Sequence, residues 1–490
     1  MRPNRDGETT APERRSALAS GILTGVSSLV LSGSAAVAAA ILAQKFGRDA
    51  ATDGFLAAYA VYVTVTLAAQ ALRLTAVPEL TRTDGAAAGS YAAAILLVGV
   101  PGILVALVFR EPLSELLTGK LPDEAARLAA EALPWLVAAA VGQVLAALAA
   151  ATLAARMRFV APAIGFSLGG VAGLVTFVVL ADSHGLVSLA WGLALNAAIS
   201  LGVPLAALGG TWGRLRFDGV VRRLALLAEA AAVPLALQVL FLIALRGASA
   251  LGVGSVTSLS YAYFFAAVLV AATATSLSII STAELTRRDI AGEEAVAHVV
   301  HGAWFSLPLI AAAAGVFAVA GDRISGAVLG PAYSGEVGHE LSRLVVALSP
   351  WTVAAVGFSL AFPLLYVFER SRVLIPVAVG AVLVQVPVAL ALRELWGLEG
   401  LALSMGVTTL GVLAALLFAL SPHALVEAAS SLVRVSVWVW GLAALSFGAF
   451  AIVSSDTLAA LGGLAAYAVL LTVLRPRGLR EAWGYVRELN

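Results

Sequence analysis

LAAEALPWLVAAAVGQVLAALAAATLA, residues 128–154, contains a single charged side chain, Glu131, close to its start. An α-helix rises about 1.5 Å per residue, so about 20 apolar residues cross a hydrocarbon layer ~30 Å thick. A helix on a soluble surface turns a polar stripe to water, and this stretch has none to turn. Its surroundings are lipid, where a helix satisfies its own backbone polar groups.

The reading extends in both directions. Similar windows lie at 18–44, 55–77, 88–109, 159–181, 186–208, 224–246, 256–282, 299–320, 344–368, 373–391, 398–420, 435–453 and 457–474, fourteen candidate spans with the first. The gaps are too short to hold a soluble domain. The first 17 residues are polar, and the apolar run from Leu18 to Gln44 is too long for the core of a cleaved leader. It reads as an uncleaved first span. Over all 490 residues, 61% are hydrophobic and 12% charged, about half the charged fraction of a soluble domain. The net charge of +1 leaves no basic surface for nucleic acid. Cysteine is absent, which excludes disulfides, thiolate metal sites and cysteine nucleophiles. Lysine occurs only at Lys45 and Lys120, with arginine elsewhere, a usage that points with the abundant Ala and Gly to a GC-rich bacterial genome.

Most of the 30 basic residues fall on one side if the N-terminus is cytoplasmic, among them Arg14, Arg82, Arg156, Arg158, Arg370, Arg372, Arg434 and Arg480. An even number of spans then places both termini in the cytoplasm of a multi-pass protein of the bacterial inner (plasma) membrane. The most basic inside loop, around Arg214 to Arg223, follows the sixth span.

That loop marks the joint of an internal repeat. Thr52-Asp53 through Pro78-Glu79-Leu80-Thr81-Arg82 aligns with Thr257-Ser258 through Ala283-Glu284-Leu285-Thr286-Arg287. Pro134-Trp135 aligns with Pro350-Trp351, and Arg156, Arg158 and Pro162 with Arg370, Arg372 and Pro376. Gly185-Leu186 and Leu189-Ala190 align with Gly397-Leu398 and Leu401-Ala402. The shift is six spans, an even number, so the halves keep one orientation and form a parallel repeat. The expected fold is all-α, with two parallel six-helix lobes around a central cavity and two extra C-terminal helices. The expected divisions are a cytoplasmic tail 1–17, an N-lobe 18–208, a basic loop 209–223, a C-lobe 224–420, two additional helices within 421–474, and a cytoplasmic tail 475–490.

Little in the chain points to catalysis. Gly119-Lys120 lacks the rest of a phosphate-binding loop. His298, His301 and Glu294 could share a helix face, but without a third ligand at metal spacing they read as an interfacial polar turn. The chain is not expected to be an enzyme, and no cofactor or metal is expected. Gly165, Gly169 and Gly173 put small residues on one face for close helix packing. Pro234, Pro308, Pro363 and Pro387 interrupt spans, as static kinks or as hinges. An ionisable group within a span costs at least ~2.5 kcal/mol and demands water, a partner or a ligand. Arg73 is such a group, although it lies five residues before Pro78, so that snorkelling to the interface is open to it too. Glu131, Glu229, Arg246 and Arg343 stand at helix ends, where side chains reach the interface. The amides Gln70, Gln143, Asn196, Gln238 and Gln385 either bridge helices or touch substrate. Asp53, Arg73, Arg246 and Gln238 form the expected substrate-binding set, the first three shaping the polar part of a cavity between the lobes.

Phe46-Gly47-Arg48-Asp49-Ala50-Ala51-Thr52-Asp53-Gly54-Phe55, leading to Val77-Pro78, resembles the start of the MviN/MurJ-type lipid II flippases. Gly254-Ser255-Val256-Thr257-Ser258-Leu259-Ser260-Tyr261-Ala262 resembles the same family at its eighth helix. The resemblance implies a six-six-two helix plan within the multidrug/oligosaccharidyl-lipid/polysaccharide exporter superfamily. It also implies transport of a lipid-linked glycan precursor by alternating access. The family's cavity arginines have no counterparts at the matching places. No arginine lies between Arg15 and Arg48, the middle of the second span reads Val63-Thr64-Val65-Thr66, and the eighth reads Tyr263-Phe264-Phe265. Only Asp53 matches residue for residue. Two other readings stay open: a cation-coupled multidrug exporter, and a transport-dead paralogue that scaffolds cell-envelope synthesis. The expected partners are a lipid-linked anionic glycan or other amphipath, membrane lipids, a monovalent coupling cation and envelope-synthesis proteins.

Overall fold

The structure is a computed structural model. It describes residues 30–31, 33–83, 85–156, 158–209, 215–271, 273, 292–368, 370–453, 456–474 and 476–488. The repeat's second ending, Ala283 to Arg287, lies outside them, as do Glu294's side chain, both chain ends and residues 210–214 of the basic loop.

The protein is an all-α polytopic membrane protein. Its helices are α1 (Gly33–Phe46), α2 (Ala50–Arg82), α3 (Ala88–Val108), α4 (Arg110–Thr118), α5 (Asp123–Ala155), α6 (Val160–His184), α7 (Val187–Leu208) and α8 (Val220–Ala248). They continue as α9 (Ser255–Val270), α10 (Gly292–Leu329), α11 (Glu336–Ala347), α12 (Ser349–Ala361), α13 (Leu374–Leu420), α14 (Pro422–Val453), α15 (Asp456–Leu474) and α16 (Arg477–Glu488). Among the described residues, 11 helices are long and apolar enough to cross a membrane, and α1 and α9 are shorter apolar helices. One of the eleven, α13, is two passes. Its backbone leaves helical geometry at Trp396 and at Gly397, whose φ of 57° suits glycine. Each of the fourteen windows therefore meets a helix or an arm of one. Gly185, which the repeat aligns with Gly397, holds a similar φ of 59° at the break between α6 and α7.

Two compact units are present. The first comprises Met1–Leu42, Ala58–Ser114 and Leu128–Ala231, the second Ala43–Ala57, Glu115–Arg127 and Ala232–Asn490. The division cuts through α1, α2, α4, α5 and α8, so the opening turns of α2 belong with the C-terminal half.

In the first unit, α6 and α7 pack through the glycine stripe. A Cβ on Gly173 would stand 2.6 Å from the Gly192 carbonyl oxygen, and one on Gly169 would stand 2.6 Å from the Ser200 hydroxyl. Backbones this close gain dispersion contacts that larger residues forbid. Tyr91 is fully buried beside Leu72, Leu80 and Leu148. Its hydroxyl donates to Glu79 Oε2 at 2.8 Å, while Arg223 Nη2 lies 2.8 Å from Glu79 Oε1. Glu79 stands beyond the apolar stretch Ala50–Leu67 of α2. Burial raises its carboxyl, but the bonds from Tyr91 and Arg223 and the charges of Arg223 and Arg222 outweigh that and hold it below the usual carboxylate range.

In the second unit, the two arms of α13 are joined by Gln385, whose Nε2 donates to Ser404 Oγ at 2.9 Å. Tyr467 of α15 donates to the carbonyl of Pro308 in α10 at 3.1 Å. Arg343 at α11 pairs with Glu399 at 2.9 Å. These polar residues thus serve as bridges between helices.

Candidate functional site

The stretch from Phe46 to Phe55 carries two aspartates one helical turn apart. Asp49 caps its own helix, its Oδ1 accepting from the Thr52 amide at 2.7 Å. Asp53, one turn on, points away from that helix end and caps another. Its Oδ2 accepts from the Gly254 amide at 2.5 Å, and its Oδ1 accepts from the amide and hydroxyl of Thr257 at 2.8 and 2.5 Å. The residue is fully buried. A buried carboxylate persists only with such donors, and the start of α9 supplies them along with the positive end of the helix dipole. Gly254 precedes α9 with φ 86°. That left-handed geometry favours glycine and aims the free amides at Asp53.

Around this cap the turn between α1 and α2 is tied to the second half. Arg48 Nε donates to the Gly254 carbonyl at 2.9 Å, and its Nη2 pairs with Glu340 of α11 at 2.6 Å. Tyr333, fully buried, donates to the Gly47 carbonyl at 2.7 Å and meets Tyr261 of α9 edge to face at 5.3 Å. Gln44 Nε2 donates to the Val328 carbonyl at 2.9 Å. Sequence reading singled out Asp53 and missed Arg48, Glu340 and Tyr333. The two quoted stretches of resemblance meet here, and that pairing was the available signal.

The other expected residues fall elsewhere. Gln238 is buried in α8, where its Oε1 accepts from Tyr263 of α9 at 3.0 Å and its Nε2 has no partner among the described residues. Tyr263 stacks on Phe241 at 4.1 Å and tilts against Trp351 at 4.9 Å. Arg246, at the end of α8, donates to Ser249 Oγ at 3.3 Å and edges a largely apolar cavity that Asp53 does not line. Arg73 lies in α2, with its side chain outside the described residues. Chemically, the Asp53 cluster is a set of hydrogen bonds and one ion pair joining segments 201 to 292 positions apart.

No protein-family model and no curated protein matches the chain. Solved structures do. A lipid II flippase MurJ in an inward closed conformation superposes with a TM-score of 0.75 at 14% identity, covering 92% of this chain and 98% of the other. An inward-facing multidrug resistance MATE family transporter of the MOP superfamily gives 0.57 at 12%, covering 84% and 94%. A mutant form of the Vibrio cholerae MATE transporter VcmN gives 0.55 at 15%, covering 84% and 96%. At these identities the likeness is one of architecture, and the chain has the fold shared by the MurJ flippase and the MATE transporters.

Proposed function

We propose that the chain is a flippase or exporter that moves a lipid-linked anionic glycan precursor across the bacterial inner membrane by alternating access. The observation that carries this reading is the Asp53 cap. The sequence repeat makes the starts of α2 and α9 equivalent, and Asp53 binds the first turn of α9 from the first turn of α2. Two equivalent helices joined at one end by a few hydrogen bonds suit a latch at the outer mouth of a two-lobed transporter. The fold likeness to flippases and exporters supports the same reading.

In this reading Arg73 is the proposed contact for the substrate's phosphate, through charge-assisted hydrogen bonds from its planar guanidinium. Gln238, with an unpaired amide nitrogen among the described residues, is the proposed contact for a substrate hydroxyl or carbonyl. The test is a flipping assay in proteoliposomes with an undecaprenyl-diphosphate-linked sugar. Arg73→Ala should abolish movement at unchanged membrane abundance, and Arg73→Lys should restore it in part, because lysine lacks the planar fork. Normal flipping by Arg73→Ala removes that residue from the substrate path. Absence of flipping by the wild-type chain, with drug-efflux activity in its place, would favour a multidrug exporter.

A further inference from the structure

A cavity of about 570 Å³ lies in the second unit, among α8, α13 and the turn between α4 and α5. Its volume is within the ~300–1,000 Å³ usual for ligand pockets. Leu116, Leu242, Leu245, Leu390 and Leu401 make its walls. Three cations share the lining, Lys120, Arg246 and Arg393, and no acid does. Lys120 has no hydrogen-bond or ion-pair partner among the described residues. Arg246 commits a single Nη1 to Ser249, and Arg393 Nη2 pairs at 2.7 Å with Glu394, a neighbour outside the lining. Leu116 and Leu390 are exposed although strongly apolar, and so is Trp396, three residues beyond Arg393. Exposed leucine beside tryptophan and snorkelling cations is the surface a protein presents at the boundary of the hydrocarbon and the headgroups.

We propose that this cavity binds an anionic membrane phospholipid, with the phosphate held by Lys120, Arg246 and Arg393 and an acyl chain laid over the leucine wall. Charge complementarity selects the occupant. An apolar pocket rimmed by three positive groups and no negative one excludes a neutral hydrocarbon as its best ligand and disfavours a cation. Guanidinium groups give phosphate directional, charge-assisted bonds, and lysine adds a mobile point charge. The arginine distribution puts the end of α8 on the outer side, so the lipid comes from the outer leaflet. It is a resident ligand rather than cargo.

The full-length chain in detergent would be titrated with phosphatidylglycerol or phosphatidylcholine and read by native mass spectrometry. One phosphatidylglycerol should remain bound at energies that strip phosphatidylcholine. Lys120→Gln with Arg246→Gln and Arg393→Gln should weaken it about tenfold or more. Glu394→Gln, which frees Arg393, should tighten it and keeps the test sharp if the triple variant folds poorly. Equal retention of the two lipids by the wild type, or no loosening in a folded triple variant and no tightening in Glu394→Gln, overturns the proposal. Movement of labelled phosphatidylglycerol across proteoliposomes by the chain would make it cargo and overturns the resident role.

Discussion

Arg48 Nη2 lies 2.6 Å from Glu340 Oε1, across 292 positions of sequence. The pair sits beside the Asp53 cap, and both partners are largely shielded from solvent, with side-chain exposures of 18% and 26%. A shielded pair with good geometry resists screening better than a surface pair, while loss of one partner strands the other's charge. The contact is therefore sensitive to single changes and tolerant of an exchange.

Arg48→Glu and Glu340→Arg should each reduce transport by roughly tenfold or more, and the double exchange should recover much of it. A coupling near zero in that double-mutant cycle, read as flipping rate, would mean the pair acts on neither state.

Asp53→Asn keeps the shape but sets an amide NH₂ against donors that now bond to carboxylate oxygens, and it removes the charge at the α9 terminus. The expected outcome is a chain that inserts normally and transports at least about tenfold more slowly. Because the native sequence has no cysteine, Arg48→Cys with Glu340→Cys and a bifunctional thiol linker offers a background-free reading. The linked chain should be inactive until the linker is cleaved.

Gly173→Leu would drive a side chain into the Gly192 carbonyl. The expected cost is about 1–3 kcal/mol, seen as a lower melting temperature in detergent. Gly202→Leu is the control, because a Cβ there meets nothing within 4 Å.

Glu79 has a depressed carboxyl pKa in the folded chain. A group of this kind contributes its full stabilisation above its ordinary value of 4.5 and loses it as the pH falls through its own lower value. Glu79→Gln should melt at most about 2 °C lower than wild type at neutral pH, and the difference should close in strong acid. A gap that widens on acidification would contradict the sign.

The spans were legible because lipid imposes a composition, and composition is local. Their ends were not. α5 begins at Asp123 and α10 at Gly292, several residues before the apolar windows at 128 and 299, because a helix continues through polar residues once it is nucleated. α4, α11 and α16 were missed as separate helices, being too short and too polar for a span. In the site, the Thr-Asp-Gly-Phe element pointed to Asp53 as a substrate contact, and its bonds to the start of α9 had no local signal. Arg48 and Glu340 were not legible, since neither carries a local pattern and their meaning lies in a pairing that only the folded chain makes. Gln385 read equally well as bridge or ligand contact until Ser404 was seen beside it.

The break at Trp396 and Gly397 has a consequence for biogenesis. Two residues are too few to form a loop that could be threaded separately through a translocation channel. The two arms of α13, already joined by Gln385 and Ser404, would leave the ribosome and partition into lipid together as one hairpin. Lengthening the break with a flexible tether should then slow insertion and leave the first arm exposed to quality-control proteolysis.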